Sequence, residues 1–240
     1  MKPTDYHSIT DRISRSNVMK LLKSPAHYQA SLSAEHKDSD AMRFGRVYDQ
    51  FLLEQIPPTI CPFDSFRSKE AREWRDTHTD YLKPSEEELM QDMYTAFMLS
   101  EAAPLIQGGS AQAPVLWTDE VTGVPCRALP DYLTSPVCYD LKTTNDASPE
   151  AFRYSCIKYG YDIQDAMYLD GLAAIGHTAR DFVFVVQEIE APYTVAMYRL
   201  SEESREEARM KYRDALKLYA KCQERDEWPG YTDGIEEIVI

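Results

Sequence analysis

The sequence predicts an α/β protein of α+β character: a mixed five-stranded sheet flanked by helices and preceded by a helical amino-terminal part. Three observations predict it. Helical spacing of apolar residues fills positions 1–105, two-residue alternation takes over at 113–144, and a helix, two strand-like runs and a charged helix follow. A chain of 240 residues, 43% of them hydrophobic, can bury one sizeable core. One domain over 1–240 is expected, mainly helical over 1–105, with the sheet and its central helix over 106–200 and a helix and tail over 201–240.

Across 14–23, Val18, Met19, Leu21 and Leu22 recur at helical spacing, and Ser24-Pro25 supplies the cap and first-turn proline of a second short helix. A longer helix over 40–55 turns Phe44, Val47, Phe51 and Leu52 to the core and stops before Pro57-Pro58. Helices are expected at 68–81 and 85–103, the second opening on a Ser85/Glu88 capping box and burying the Met and aromatic residues of 90–99. Three antiparallel strands are expected within 113–144, with turns at Thr122-Gly123 and Thr134-Ser135-Pro136. One helix over 148–175, strands over 181–187 and 193–200, a helix over 202–224 and an irregular tail after Trp228 complete the order.

The net charge of −14 argues against simple attraction to a polyanion. Binding depends on the local field, however, and a bound metal ion inverts the sign of a carboxylate-rich cleft. Cations are denser early (Arg12, Arg15, Lys20, Lys23, Arg43, Arg46, Arg67, Lys69, Arg72, Arg75), which predicts a basic face and an acidic back. Five scattered cysteines with no C-x-x-C pair exclude a disulfide framework, a zinc site and an iron–sulfur cluster. His7, His36, His78 and His177 lie in no metal-ligand spacing, and His27 is expected to pack. No apolar run is long enough for a membrane span, and the polar stretch 1–5 lacks the core of a signal peptide, so a cytoplasmic protein is expected.

The chemistry gathers in the run Val137-Cys138-Tyr139-Asp140-Leu141-Lys142. A strand there sends Val137, Tyr139 and Leu141 to one face and Cys138, Asp140 and Lys142 to the other. An acid and an ammonium on one strand face suit metal-assisted phosphodiester hydrolysis: the acid binds Mg²⁺, and the lysine serves the attacking water and offsets charge on the phosphate. Asp131 ends the preceding strand, and the turn between folds it towards Asp140. By itself the Asp, Asp-x-Lys pattern is weak, and a surface salt bridge between Asp140 and Lys142 is the commoner explanation of it. On the following helix Gln164 and Tyr168 are four apart and share a face, from which an amide and a phenol can hold a phosphate or a water, although a half-buried Tyr168 and a solvated Gln164 are the commoner reading of such a helix alone.

These segments carry a resemblance. Pro130-Asp131-Tyr132, Asp140-Leu141-Lys142-Thr143-Thr144 and Tyr161 to Gly171 resemble the nuclease domain of RecE-type exonuclease (exodeoxyribonuclease VIII) and its phage relatives. These belong to the PD-(D/E)XK superfamily, with its restriction-endonuclease-like core, and are distantly similar to lambda exonuclease. Ser24-Pro25-Ala26-His27-Tyr28, the run from Gly45 to Glu54, the run from Trp117 to Asp131 and Trp228-Pro229-Gly230-Tyr231 extend the likeness over nearly the whole chain. Two positions depart from it. Asp49 stands where relatives carry a metal-binding histidine, and its carboxylate still suits Mg²⁺. Leu129 stands where relatives often have a basic residue, which leaves Arg127 to compensate.

The resemblance implies a Mg²⁺-dependent exonuclease, with Mn²⁺ able to substitute, acting on double-stranded DNA ends with 5′ to 3′ polarity. It implies a ring-shaped homo-oligomer (trimer or tetramer) and a single-strand annealing protein as partner in phage-type recombination. The metal would be held by Asp49, Asp131, Asp140 and the backbone carbonyl of Leu141. Lys142 and Gln164 would act in catalysis, and Tyr168, Arg12 and Ser16 would bind substrate. Two competing readings are a non-catalytic DNA-binding or interaction protein on the same fold, favoured by the acidic charge and by Asp49, and a structure-specific endonuclease. Intact Asp131, Asp140 and Lys142 count against the first.

Overall fold

A computed structural model describes residues 6, 8–34, 38–232 and 234–238. The stretch 1–5, His7 and His36 lie outside the described residues. Helix α1 (Arg15–Lys23) starts where the Ser14 side chain accepts from the Asn17 N–H, and α2 (Pro25–Ser31) follows with Ser24 as cap and proline in its first turn. Helix α3 (Asp40–Glu54) ends at Gln55, in the left-handed region at φ 55°, just before the two prolines. Helix α4 (Lys69–Thr77) is capped by Ser68.

Helix α5 (Pro84–Met98) begins earlier than the capping-box pattern suggests. Proline holds the first helical position, Lys83 is the cap, and the Lys83 N–H donates to Glu86 at 2.7 Å, so Ser85 lies inside the helix. Met90, Met93 and Phe97 are its buried stripe.

After a 3-10 turn (Ala103–Ile106) come strands β1 (Ser110–Ala111), β2 (Val115–Thr118), β3 (Pro125–Ala128), β4 (Tyr132–Leu133) and β5 (Val137–Thr144). The main sheet has five strands in the order β1-β4-β5-β6-β7, where β6 is Asp181–Glu188 and β7 is Val195–Tyr198. Among the described residues of this sheet β5 and β6 pair in parallel and the other neighbours pair antiparallel. The hairpin β2–β3 forms a sheet of its own, so the strands expected within 113–144 are divided between two sheets.

A second correction concerns the helix expected over 148–175. It is two helices, α6 (Pro149–Tyr159) and α7 (Tyr161–Ala174), separated by Gly160 at φ 67°. That conformation costs an L side chain dearly, and a Cβ at Gly160 would also strike the sulfur of Met19. Helix α8 (Glu202–Arg225) closes the regular structure.

Two apolar cores lie on the two faces of the sheet. One joins α1, α2, α7 and α8 to the hairpin, around Phe182, Phe184, Met167 and Leu216; the other joins α3 and α5 around Tyr48, Met90 and Phe97. Strand β5 serves both, giving Cys138 to the first and Tyr139 and Leu141 to the second. This is the alternation the sequence predicts. Each fully buried Phe or Leu contributes roughly 1.5–3 kcal/mol. Between them, the cores fix the register on which the polar residues of β5 depend. Among the described residues no helix is long and apolar enough to cross a membrane.

Candidate active site

Strand β5 is held on one edge by β6, with Asp140 opposite Phe184 and Lys142 opposite Val186. On the other edge the antiparallel register pairs Tyr132 with Tyr139 and Leu133 with Cys138. Continued by one residue, that register sets Asp131 opposite Asp140. The turn that makes this possible is closed by the Thr134 N–H on the Val137 carbonyl at 2.9 Å.

The Asp140 side chain is 1% exposed and that of Lys142 18%. Lys142 Nζ donates to Asp140 Oδ1, and Gln164 Nε2 donates to Asp140 Oδ2, so one buried carboxylate is gripped from both sides. Asp131 Oδ2 accepts the Leu141 N–H at 2.9 Å, which turns this acid onto the same strand. Gln164 reaches Asp140 because α7 packs flush on the first core, where Gly171 lets the helix approach the Trp117 ring; a Cβ there would lie 2.8 Å from it.

Asp49 comes from α3, on the opposite face. Helix α3 lies so close to the end of β5 that a Cβ on Gly45 would touch Thr143 Oγ1 at 3.4 Å. Burial pushes the Asp49 carboxyl well above the usual carboxylate range, and the charges of Asp131 and Asp140 add to that against the pull of Lys142. Asp131 is pushed up to about 7 by burial and by Asp140, with Lys142 and the Leu141 N–H opposing. Burial works to discharge Lys142, but Asp140 and Asp131 outweigh it and hold its pKa up. Three carboxylates thus share one ammonium.

Among the described residues no three His, Cys, Asp or Glu side chains form a ready-made metal cage. The donor set nonetheless fits a hard divalent cation. Its oxygens are carboxylates in excess of their counter-charge, and the buried Oε1 of Gln164 has no hydrogen-bond partner.

Tyr168 stands one turn beyond Gln164, with its ring edge-on to Phe182 at 6.0 Å. Burial raises its phenol well above the usual range, with Tyr6 and Asp140 adding to the effect, so the hydroxyl stays protonated. Other expected residues sit differently. Arg12 Nη1 donates to the carbonyls of Trp117 at 2.8 Å and Cys126 at 3.4 Å, which ties this segment to the hairpin. Ser16 is exposed in the first turn of α1. Arg127 donates to the Tyr6 carbonyl at 2.6 Å and lies over the Tyr6 ring. The expected basic face is also thinner than the sequence suggests: Arg43 pairs with Glu86, and Arg46 with Asp38 and Asp80.

Two residues beside the site carried no role in the sequence reading. The Tyr161 ring lies 4.9 Å from Lys142 Nζ, and the charge of Arg15 reaches both Tyr161 and Tyr168. Tyr161 was legible, since 161, 164 and 168 fall on one helix face. Arg15 carried no such signal.

A mixed sheet whose central strand presents an Asp-x-Lys pair, faced by an acid from the adjoining strand end, is the architecture of the PD-(D/E)XK fold class. The chain belongs to the family described as PDDEXK-like domain of unknown function (DUF3799), whose model matches residues 14–239. Among solved structures it is similar to a protein from Eubacterium rectale provisionally described as an exonuclease. That match has 13% identity and a TM-score of 0.68, over 98% of this chain and 92% of the other. Looser matches are an alkaline exonuclease from Laribacter hongkongensis (12% identity, TM-score 0.42, 94% and 97% covered) and a phage-related exonuclease from Haemophilus somnus 129PT (14%, 0.39, 93% and 100%). Identities this low bear on the fold alone. No curated protein sequence matches the chain.

Proposed function

We propose that the chain is a divalent-metal-dependent exodeoxyribonuclease that shortens one strand of linear double-stranded DNA, from the 5′ end towards the 3′ end. The observation that carries this reading is the gathering of Asp131, Asp140, Lys142 and Gln164 around one buried point with more carboxylate than cation. Asp131 and Asp140, joined by Asp49 and the Leu141 carbonyl, would hold Mg²⁺, or Mn²⁺ in its place. Bound there, the ion supplies a Lewis acid for the scissile phosphate and lowers the pKa of its water.

The protein's own groups do the rest. Lys142, kept charged by its acidic neighbours, orients the attacking water and offsets the charge that grows on the phosphate. Gln164 fixes the Asp140 carboxylate through Nε2, and its buried, unpartnered Oε1 leaves an acceptor for a water. Tyr168, kept protonated, offers a donor to a phosphate oxygen. A ring-shaped homo-oligomer of three or four copies and a single-strand annealing partner in phage-type recombination belong to the same reading.

The test is an end-labelled linear duplex and a covalently closed circle, each incubated with Mg²⁺ or with EDTA. Nucleotides should leave the linear 5′ end in Mg²⁺ only, and the circle should survive. A cut circle would make the enzyme an endonuclease, and an intact linear duplex in both Mg²⁺ and Mn²⁺ would remove the nuclease reading.

A further inference from the structure

Helix α6 takes no part in the arrangement above, yet it has an unusual outer face. Phe152 and Cys156 point to the core, while Arg153, Tyr154, Ile157 and Lys158 form a stripe in solvent. Tyr154 is 66% exposed and Ile157 73%. The single acid of α6, Glu150, lies in its first turn at the far end. In a chain of net charge −14, this stripe is a local positive strip that holds one aromatic ring and one aliphatic side chain.

The strip continues to the candidate site. Lys158 Nζ lies 6.0 Å from the Tyr154 ring centre and 5.0 Å from that of Tyr159. The Tyr159 and Tyr161 rings are 5.8 Å apart, and Tyr161 is the ring beside Lys142. Arg15 donates to the Tyr159 carbonyl at 2.9 Å and adds a cation at the bend. Gly160 makes that bend, and so sets one tyrosine at the surface and the next at the active lysine. Rings and cations therefore alternate from open solvent to the buried acids.

We propose that this line is a track for single-stranded DNA, with bases lying on Tyr154, Ile157 and Tyr159 and phosphates meeting Arg153, Lys158 and Arg15. It rests on the nuclease reading and adds to it the path by which a strand reaches the site. Alternating rings and cations match the alternation of bases and phosphates along a strand. The centre of a protein–protein interface is by contrast depleted in lysine, whereas here Lys158 sits among the apolar groups.

The test is binding of a labelled oligothymidylate in Ca²⁺, followed by fluorescence anisotropy at several salt concentrations, for wild type, Tyr154→Ala and Lys158→Glu. Both positions are exposed, so both variants should melt as wild type does. Each should weaken binding by about tenfold, since a stacked base or a neutralised phosphate contributes on that order. Lys158→Glu should also flatten the salt dependence, whereas Tyr154→Ala should leave its slope unchanged. A strand carrying 5-iododeoxyuridine should photo-crosslink to Tyr154. Wild-type affinity in both variants, while wild type itself binds or cuts DNA, would overturn the track and leave the nuclease reading standing. Variants that change the sedimenting mass but not DNA affinity would assign the strip to a protein contact and overturn it too. A wild-type protein that neither binds nor cuts any DNA would overturn both readings together.

Discussion

Two regions of the molecule bury aspartates, and they treat them in opposite ways. Between α7 and α8, Asp165 and Asp170 each meet a guanidinium. Asp165 accepts from Arg205 at 2.6 and 3.3 Å, and Asp170 from Arg209 at 2.9 and 3.0 Å, from Arg213 at 3.0 Å and from Tyr212. The hairpin acid Asp119, 2% exposed, also meets Arg213, at 3.4 Å. Around β5, by contrast, Asp49, Asp131 and Asp140 divide one Lys142.

Burial pulls Asp165 up to about 6 against the opposing pull of Arg205, and the two-bond geometry keeps the pair ionised at neutral pH. Among the described residues no arginine pairs with the acids of the β5 cluster. A fold that supplies arginines so freely on one side has left the other short of them, and such imbalance is what a bound divalent cation would offset.

Four measurements break or sharpen that contrast. Lys142→Ala should cut cleavage about a thousandfold, the loss expected when one preorganised electrostatic group is removed. Its circular dichroism should stay near that of wild type while its melting temperature falls, because Asp140 loses its counter-charge; wild-type cleavage rates would move the active centre elsewhere. Arg205→Ala acts on the balanced side and strands a buried carboxylate. Urea unfolding should show a loss of about 3 kcal/mol, with little change in cleavage measured well below the melting point. A stability loss confined to a few tenths would mean that the two regions do not differ as described.

The third measurement is the melting temperature against pH, in EDTA and in Mg²⁺. Burial and Asp140 push the Asp131 carboxyl from its ordinary 3.8 up to about 7 in the folded chain. Between those values the folded state holds a proton that the unfolded state has released. Stability is therefore fully present below the unfolded value and is lost as pH rises through the folded one. In EDTA the melting temperature should fall from pH 5 to about pH 8, and Asp165 adds a smaller slope of the same sign. A cation competes with that proton, so stabilisation by Mg²⁺ should grow over the same interval. Equal slopes with and without the ion would show that the carboxylates do not bind it.

The smallest effect is expected at Asp49. Asp49→Asn should raise the Mg²⁺ concentration for half-maximal cleavage several-fold, and Asp49→His should keep substantial activity with a shift towards Mn²⁺. An unchanged metal dependence in Asp49→Asn would leave Asp49 as a bystander held in the field of the other acids.

The sequence disclosed the parts of this arrangement that obey a period. Alternation over 137–142 placed Asp140 and Lys142 together, and a helical repeat placed Gln164 and Tyr168 on one face, towards β5. Hydrophobic periodicity could not reveal the break at Gly160, because apolar residues recur on both sides of it and the left-handed bend belongs to a single residue. Strands β1 and β4 are two residues long and have no period to read. The hairpin showed its strands and turn, but not that it leaves the main sheet. What decides that is packing at long range, where Ile13 bridges to Cys126 and Trp117 lies on Gly171. Arg12 and Arg15 differ for the same reason: only the distant groups each one meets, hairpin carbonyls for one and the Tyr159 carbonyl for the other, tell them apart.

The resemblance at Ser24-Pro25-Ala26-His27-Tyr28 and at Trp228-Pro229-Gly230-Tyr231 turns out to be one contact. The Ala26 N–H donates to the Pro229 carbonyl at 3.0 Å, Tyr28 lies 5.4 Å from Trp228 and 5.5 Å from Tyr219, and His27 lies 5.4 Å from Tyr231. Helices α1 and α2 are thus covered by α8 and the stretch behind it. Their apolar sides wait for that cover during folding, and closing so long a loop is slow. The segment that carries Arg15 therefore docks late, whatever the order in which the other elements form.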